Sequence, residues 1–107
     1  MHFQNVVYEI KIPSSVQSIG NGAFYGCWHF SYNIIPTSIT SIGDDVFRDC
    51  QDIFLNSIPS TITSIGNSSF RGCNNLFKIS IPNSVTSIGN DTFRDCRNLN
   101  EIIIPTS

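Results

Sequence analysis

The sequence predicts a repeat solenoid, rich in β-strand, in which parallel strands and short helical turns recur through about four and a half rungs. Three observations carry this. The phrase SIGNGAFYGC at 18–27 returns as SIGDDVFRDC at 41–50, SIGNSSFRGC at 64–73 and SIGNDTFRDC at 87–96, each time 23 residues later. Whole residue types share that register: all five prolines (Pro13, Pro36, Pro59, Pro82, Pro105) and all four cysteines (Cys27, Cys50, Cys73, Cys96) lie 23 apart. Within LFKISIP at 76–82, Leu76, Ile79 and Ile81 alternate with Lys78 and Ser80, the two-residue period of a strand.

A 23-residue unit carries too few large apolar residues to bury them alone, so each unit must cover the next. Columns of equivalent residues then become rows of contact. Expected inside are Ile12, Ile35, Ile58, Ile81 and Ile104; Val16, Ile39, Ile62 and Val85; Ile19, Ile42, Ile65 and Ile88; Phe24, Phe47, Phe70 and Phe93; the cysteines; and Val7, Phe30, Ile53, Leu76 and Leu99. The proline after each strand removes a ladder donor at the same place in every rung and ends the pairing there. The SVTSIG stretch makes a second short extended piece, closed by a glycine able to take positive φ. Asn21, Asp44, Asn67 or Asn90 then caps a helical turn of about five residues, too short to stand outside the stack.

The chain reads as a single domain over 1–107, a repeat fragment that starts in mid-repeat at VVYEIKIP, stops at IIIPTS and has no evident cap. Open rungs of this kind expose core side chains and strand edges, so self-association through the ends is expected. With 40% hydrophobic residues and a formal charge of -2, the composition fits a small soluble domain. Six basic residues against eight acidic ones leave no phosphate-neutralising face, which argues against nucleic acid. No apolar run approaches the roughly 18 residues of a membrane span, so direct insertion is not expected. The opening MHFQNVVYEI lacks the features of a secretory signal, which by default places the chain inside the cell.

The unit I-P-x-S-[VI]-T-S-I-G-x-x-x-F-x-x-C-x-x-L-x-x-I-x-I, traced from Val7 to Pro105, resembles the BspA-type leucine-rich repeat of bacterial and protist cell-surface proteins. The resemblance implies a right-handed leucine-rich-repeat superhelix, no catalysis, a place at the cell surface, and a role in adhesion or in binding host and matrix proteins. Where the commoner leucine-rich repeat carries an asparagine or cysteine ladder, this chain has Ser15, Ser38, Thr61 and Ser84, a departure from the commoner horseshoe geometry.

Little chemistry competes with a binding role. The cysteines never come closer than 23 residues, which excludes the local ligand pairs of a zinc site. Neighbouring rungs would bring them close enough for disulfides, but reduced thiols packed as small hydrophobes are the expected state. His2 and His29 have no nucleophile beside them, no phosphate-binding glycine loop follows a strand, and Asp44, Asp45, Asp91 and Asp95 lack the spacing of a calcium loop. No enzyme activity, cofactor or metal is expected. Arg48, Arg71 and Arg94, interleaved with Asp49 and Asp95, form an exposed row that reads as a solvated edge rather than an anion site. Asn67 and Asn90 begin N-glycosylation sequons, and these count only if the parent protein is secreted.

The candidate binding site lies on outward strand positions that depart from polarity. Tyr32, Ile34, Phe54, Leu55 and Phe77 would gather in the middle of the face, between Glu9 and Lys11 at one end and Lys78 and Glu101 at the other. Their patch would reach about 400 Å², the size at which an exposed apolar surface signals a protein partner. The competing reading concerns the same rungs, where Asn33 and Asn56 occupy inward positions: a slipped register there would tuck Ile34 or Leu55 inside. If the register holds, the two buried amides should bond to each other. Beyond a protein-binding face, the alternative role is a structural solenoid spacer or a self-associating piece of a longer repeat protein.

Overall fold

The computed structural model describes residues 11–27, 35–51, 53 and 58–104. Two small parallel sheets carry the stack. Strands β1 (Ser41–Ile42), β2 (Ser64–Ile65) and β4 (Ser87–Ile88) form one, and β3 (Lys78–Ser80) and β5 (Glu101–Ile103) the other. Their register is the sequence period itself: Ser41 faces Ser64 and Ser64 faces Ser87, while Lys78 faces Glu101 and Ile79 faces Ile102. The second ladder continues one residue beyond β3, where the Ile81 N–H donates to the Ile103 carbonyl at 2.8 Å. Pro82 follows and has no N–H to offer.

The interior holds the expected columns. Ile39, Ile42, Phe47, Cys50, Ile53, Ile62, Ile65, Phe70, Cys73, Leu76 and Ile79 are buried in one cluster. Phe24, Phe47, Phe70 and Phe93 stack nearly parallel, with centroids 5.8, 5.4 and 5.9 Å apart. These separations exceed the rung rise of about 4.8 Å, so the rings are offset, the arrangement their quadrupoles prefer. One inward column is absent from the sequence expectation: Val46, Ser69 and Thr92 are buried beside the phenylalanines. Conversely, Ile88, Ile102 and Ile104 sit in inward columns yet are 45%, 41% and 67% exposed, because no described rung stacks beyond them.

The helical turn is a correction. Among the described residues there is no helix, and the turns alternate in handedness. Gly22, Asp45, Ser68 and Asp91 have positive φ, as do Asp49, Gly72 and Asp95 four residues further on and Gly26 in the first turn. A helix needs every φ negative, whereas this alternation points every second N–H along the stack. Thus the Asp45, Phe47 and Asp49 N–H groups donate to the carbonyls of Asn67, Ser69 and Arg71 in the next rung at 2.9, 2.8 and 2.7 Å. The alternate Arg48 and Cys50 N–H groups bond back three positions, to the carbonyls of Asp45 and Phe47. Glycine has no side chain to clash there, and aspartate tolerates the left-handed region better than most residues.

The asparagine column does not cap these turns either. Asn21 Oδ1 accepts from the Asp44 N–H at 2.9 Å, Asp44 Oδ1 from the Asn67 N–H at 2.8 Å, and Asn67 Oδ1 from the Asn90 N–H at 2.8 Å. Each side chain therefore serves the same position one rung on. A hydroxyl ladder runs parallel to it, with Ser38 Oγ donating to the Val16 carbonyl at 2.5 Å and Thr61 Oγ1 to the Ile39 carbonyl at 2.9 Å. Thr63 and Thr86 repeat the device on the carbonyls of Thr40 and Thr63, both at 3.2 Å.

The glycine that ends each SIG phrase has a role other than positive φ, which none of Gly20, Gly43, Gly66 and Gly89 adopts. It permits close approach. A Cβ on Gly66 would lie 2.5 Å from the Gly43 carbonyl oxygen and 2.7 Å from the Asp44 nitrogen, both backbone atoms that cannot swing away. Gly20, at the open side of the first described turn, meets nothing within 4 Å. The two positions should separate cleanly: Gly66→Ala is expected to cost about 2 kcal/mol or more in urea denaturation, and Gly20→Ala to stay within about 0.5 kcal/mol of the parent. Equal effects at both would show that the glycines are there for chain flexibility and not for stacking distance.

Candidate functional site

Of the five residues expected to form the binding face, the structure describes Phe77. Tyr32, Ile34, Phe54 and Leu55 lie outside the described residues, as do Asn33 and Asn56. Phe77 is 49% exposed at the start of the strand that becomes β3. Its carbonyl accepts the Asn100 N–H at 2.8 Å, so the backbone is fixed in the ladder while the ring stands on the outer face. Beside it, Lys78 Nζ and Glu101 Oε1 pair at 3.7 Å between adjacent rungs, both side chains exposed. In water such a pair adds little stability, and it forms a charged border to the ring. Ile103 extends the apolar character of this outer face into β5.

The arginine row pairs with acidic residues of the turns along a partly exposed edge. Arg48 pairs with Asp45 at 3.3 Å and lies over the Tyr25 ring, 5.3 Å from its centroid. Arg94 pairs with Asp91 at 3.9 Å, whereas Arg71 reaches across a rung, its Nε 3.7 Å from Asp95 Oδ2. The same cross-rung spacing from Arg48 leads to position 72, which is glycine, and the Arg48 Nε is buried without a hydrogen-bond partner. Asp49 and Asp95 thus answer a backbone need for positive φ, and only Asp95 also answers an arginine.

The four cysteines are free thiols, and three of them donate across the stack. Cys50 Sγ reaches the Phe24 carbonyl at 3.1 Å, Cys73 Sγ the Phe47 carbonyl at 3.1 Å, and Cys96 Sγ the Phe70 carbonyl at 3.0 Å. They are packed hydrophobes with an added hydrogen bond. Loss of hydration, aided by the adjacent Cys27 thiol, pushes the Cys50 pKa up to about 12. Burial likewise pushes Cys73 and Cys96 up. Among the described residues, no cluster of three or more histidine, cysteine or acidic side chains is placed to hold a metal ion, and no helix is long and apolar enough to cross a membrane.

Parallel rungs at a fixed period, inward aliphatic and phenylalanine columns and an outward strand face define a leucine-rich-repeat scaffold. The particular kind follows from the family profile: the family described as "BspA type Leucine rich repeat region (6 copies)" matches residues 2–107, and the chain belongs to that family. Two solved structures are similar. A leucine-rich repeat protein from Bacteroides ovatus superposes with a TM-score of 0.81 at 37% identity, over 92% of this chain and 26% of that one. A leucine rich cell surface protein from Faecalibacterium prausnitzii superposes with a TM-score of 0.77 at 29% identity, over 92% of this chain and 32% of that one. The chain therefore spans about a quarter to a third of the length of these relatives. Curated proteins yield no match.

The thiols give a pH dependence with a definite sign. Because folding raises their pKa above the ordinary 9.0, the thiol form is favoured equally in both states below pH 9, and the unfolded chain alone ionises above it. Stability is expected to hold steady up to about pH 9 and then fall by about 1.4 kcal/mol per pH unit for each buried thiol. Urea titrations at pH 8, 10 and 11, compared with a Cys50→Ala, Cys73→Ala variant, isolate the contribution. A parent curve no steeper than the variant's would refute it.

Proposed function

We propose that the chain is a non-enzymatic protein-binding scaffold that acts in adhesion or in contact with host or matrix proteins. In this reading the rungs form a right-handed superhelix of about four and a half turns. The strand face meets the partner through Tyr32, Ile34, Phe54, Leu55 and Phe77. The observation that carries the proposal is the half-exposed Phe77 ring on a backbone locked into the inter-rung ladder, with the Lys78–Glu101 pair at its border. A rigidly held aromatic loses little entropy on binding, and aromatic anchors with charged rims are what binding hot spots are made of. A cell-surface location is supported by the description of the Faecalibacterium prausnitzii relative.

The test is binding of the 107-residue chain to immobilised fibronectin, laminin and collagen, with Phe77→Ser and a Phe54→Ser, Leu55→Lys variant beside it. Binding by the parent that drops at least about tenfold in each variant, with stability within about 1 kcal/mol, supports the face. A loss of several kcal/mol on replacing Phe54 and Leu55 would instead place them in the core and end their part in it.

A second reading, a structural spacer or self-associating segment, is favoured by the exposure of Ile88, Ile102 and Ile104. These are members of inward columns, so the surface that suits them is another rung, supplied by continuing repeats or by a second copy. Sedimentation velocity across a concentration series distinguishes the cases for this chain. Association that Ile102→Lys abolishes supports the second reading, and a monomer at every concentration removes the second copy as the cover.

A further inference from the structure

A polar recess of about 390 Å³ opens on the side of the stack where the turns end, far in chemistry from the aromatic strand face. It spans three rungs, and its walls are Asp49, Gly72 and Asp95 on one side and Gln51, Asn74 and Arg97 on the other. Its length is therefore about 10 Å, two rung spacings. Its volume lies in the lower part of the range of small-molecule sites. In the column that reads Asp49, Gly72, Asp95, the Asp49 carboxylate takes the place of the missing middle side chain: a Cβ on Gly72 would collide with Asp49 Oδ1 and stand 3.3 Å from Asp49 Cγ.

The two walls offer opposite hydrogen-bonding chemistry. Asp49 and Asp95 only accept; among the described residues the Asp49 carboxylate has no ion-pair partner, and Asp95 meets Arg71 at 3.7 Å. Across from them, Gln51 Oε1 is occupied by Asn74 Nδ2 at 3.0 Å, which fixes the two amides and leaves the Gln51 Nε2 to donate. Arg97 donates only, and no described residue pairs with it. A simple cation would find one suitable wall and a guanidinium on the other. An anion would face two carboxylates. An apolar group would find no apolar side chain in the lining.

We infer that this recess binds a polyhydroxylated ligand, one or two sugar rings of a glycan. A hydroxyl group both donates and accepts, so a row of them satisfies the carboxylate wall and the amide and guanidinium wall together. This site is independent of the protein-binding face proposed above, shares no residue with it, and stands or falls separately.

The probes are chitotetraose, cellotetraose and maltotetraose, titrated into the isotopically labelled chain and followed through the side-chain amide NMR signals of Gln51 and Asn74. At least one of the three should shift both signals saturably with a Kd of about 10 mM or tighter. An Asp49→Asn, Arg97→Gln variant should bind at least tenfold more weakly while keeping its melting temperature. Gly72→Ala, whose Cβ would displace the Asp49 carboxylate from the recess, should lose binding; if it also unfolds the chain, the surface variant Asp49→Asn, Arg97→Gln still decides. Three sugars without saturable shifts would overturn the inference. So would shifts confined to other residues, or calcium chloride or acetyl-lysine saturating the same signals where the sugars do not.

Discussion

Everything in this molecule depends on one constraint: each rung must place its backbone directly over the equivalent residues of the next. Hydrogen bonds from strands, turns, hydroxyls, amides and thiols alike join residues 22 to 26 positions apart. No rung has a core of its own, and the Phe47 ring is covered by Phe24 on one side and Phe70 on the other. A local change is therefore felt by two neighbours as well as by its own rung. The absent side chain at Gly66 and the left-handed backbone at Asp45 serve the same end, which is to let polar main-chain groups meet along the axis.

The strand side of this plan was legible because apolar size and period speak directly to burial. Ile39, Ile62, Phe47, Phe70 and Leu76 could be placed inside from their columns alone, and the parallel register of β3 on β5 is the repeat length restated in space. The BspA-type assignment was equally open, since it rests on columns of isoleucine, proline and cysteine that the chain displays along its length. The turns were harder for a physical reason. Aspartate at positions 45, 49, 91 and 95 suits a charge pair, a cap or a left-handed residue, and only the backbone angle chooses among them. The alternation of Gly26, Asp49, Gly72 and Asp95 in a single column was the available signal, because glycine and aspartate have little in common except tolerance of positive φ. The buried column of Val46, Ser69 and Thr92 escaped for the opposite reason: its members share small size, while hydropathy sets them apart.

For the candidate binding face, the sequence could nominate side chains only by their departure from polarity; Phe77 is half-exposed, and the other four lie outside the described residues. The polar recess could not be nominated in the same way. Its lining comes from two columns, Asp49, Gly72 and Asp95 and then Gln51, Asn74 and Arg97, and their chemistry combines only once the rungs are known to set them side by side. Sites of this kind, built from two aligned columns, are available to repeat proteins in particular.

The turn hydrogen bonds that run along the stack also determine how the molecule would bear load. Tension applied between its two ends pulls these bonds in line with their own axes, so they would give way one layer at a time, the outermost first. Each layer released frees 23 residues, about 80 Å of chain at full stretch, in place of a thickness of about 4.8 Å. A tether built this way would yield in steps under force and pay out length while the remaining layers stayed folded.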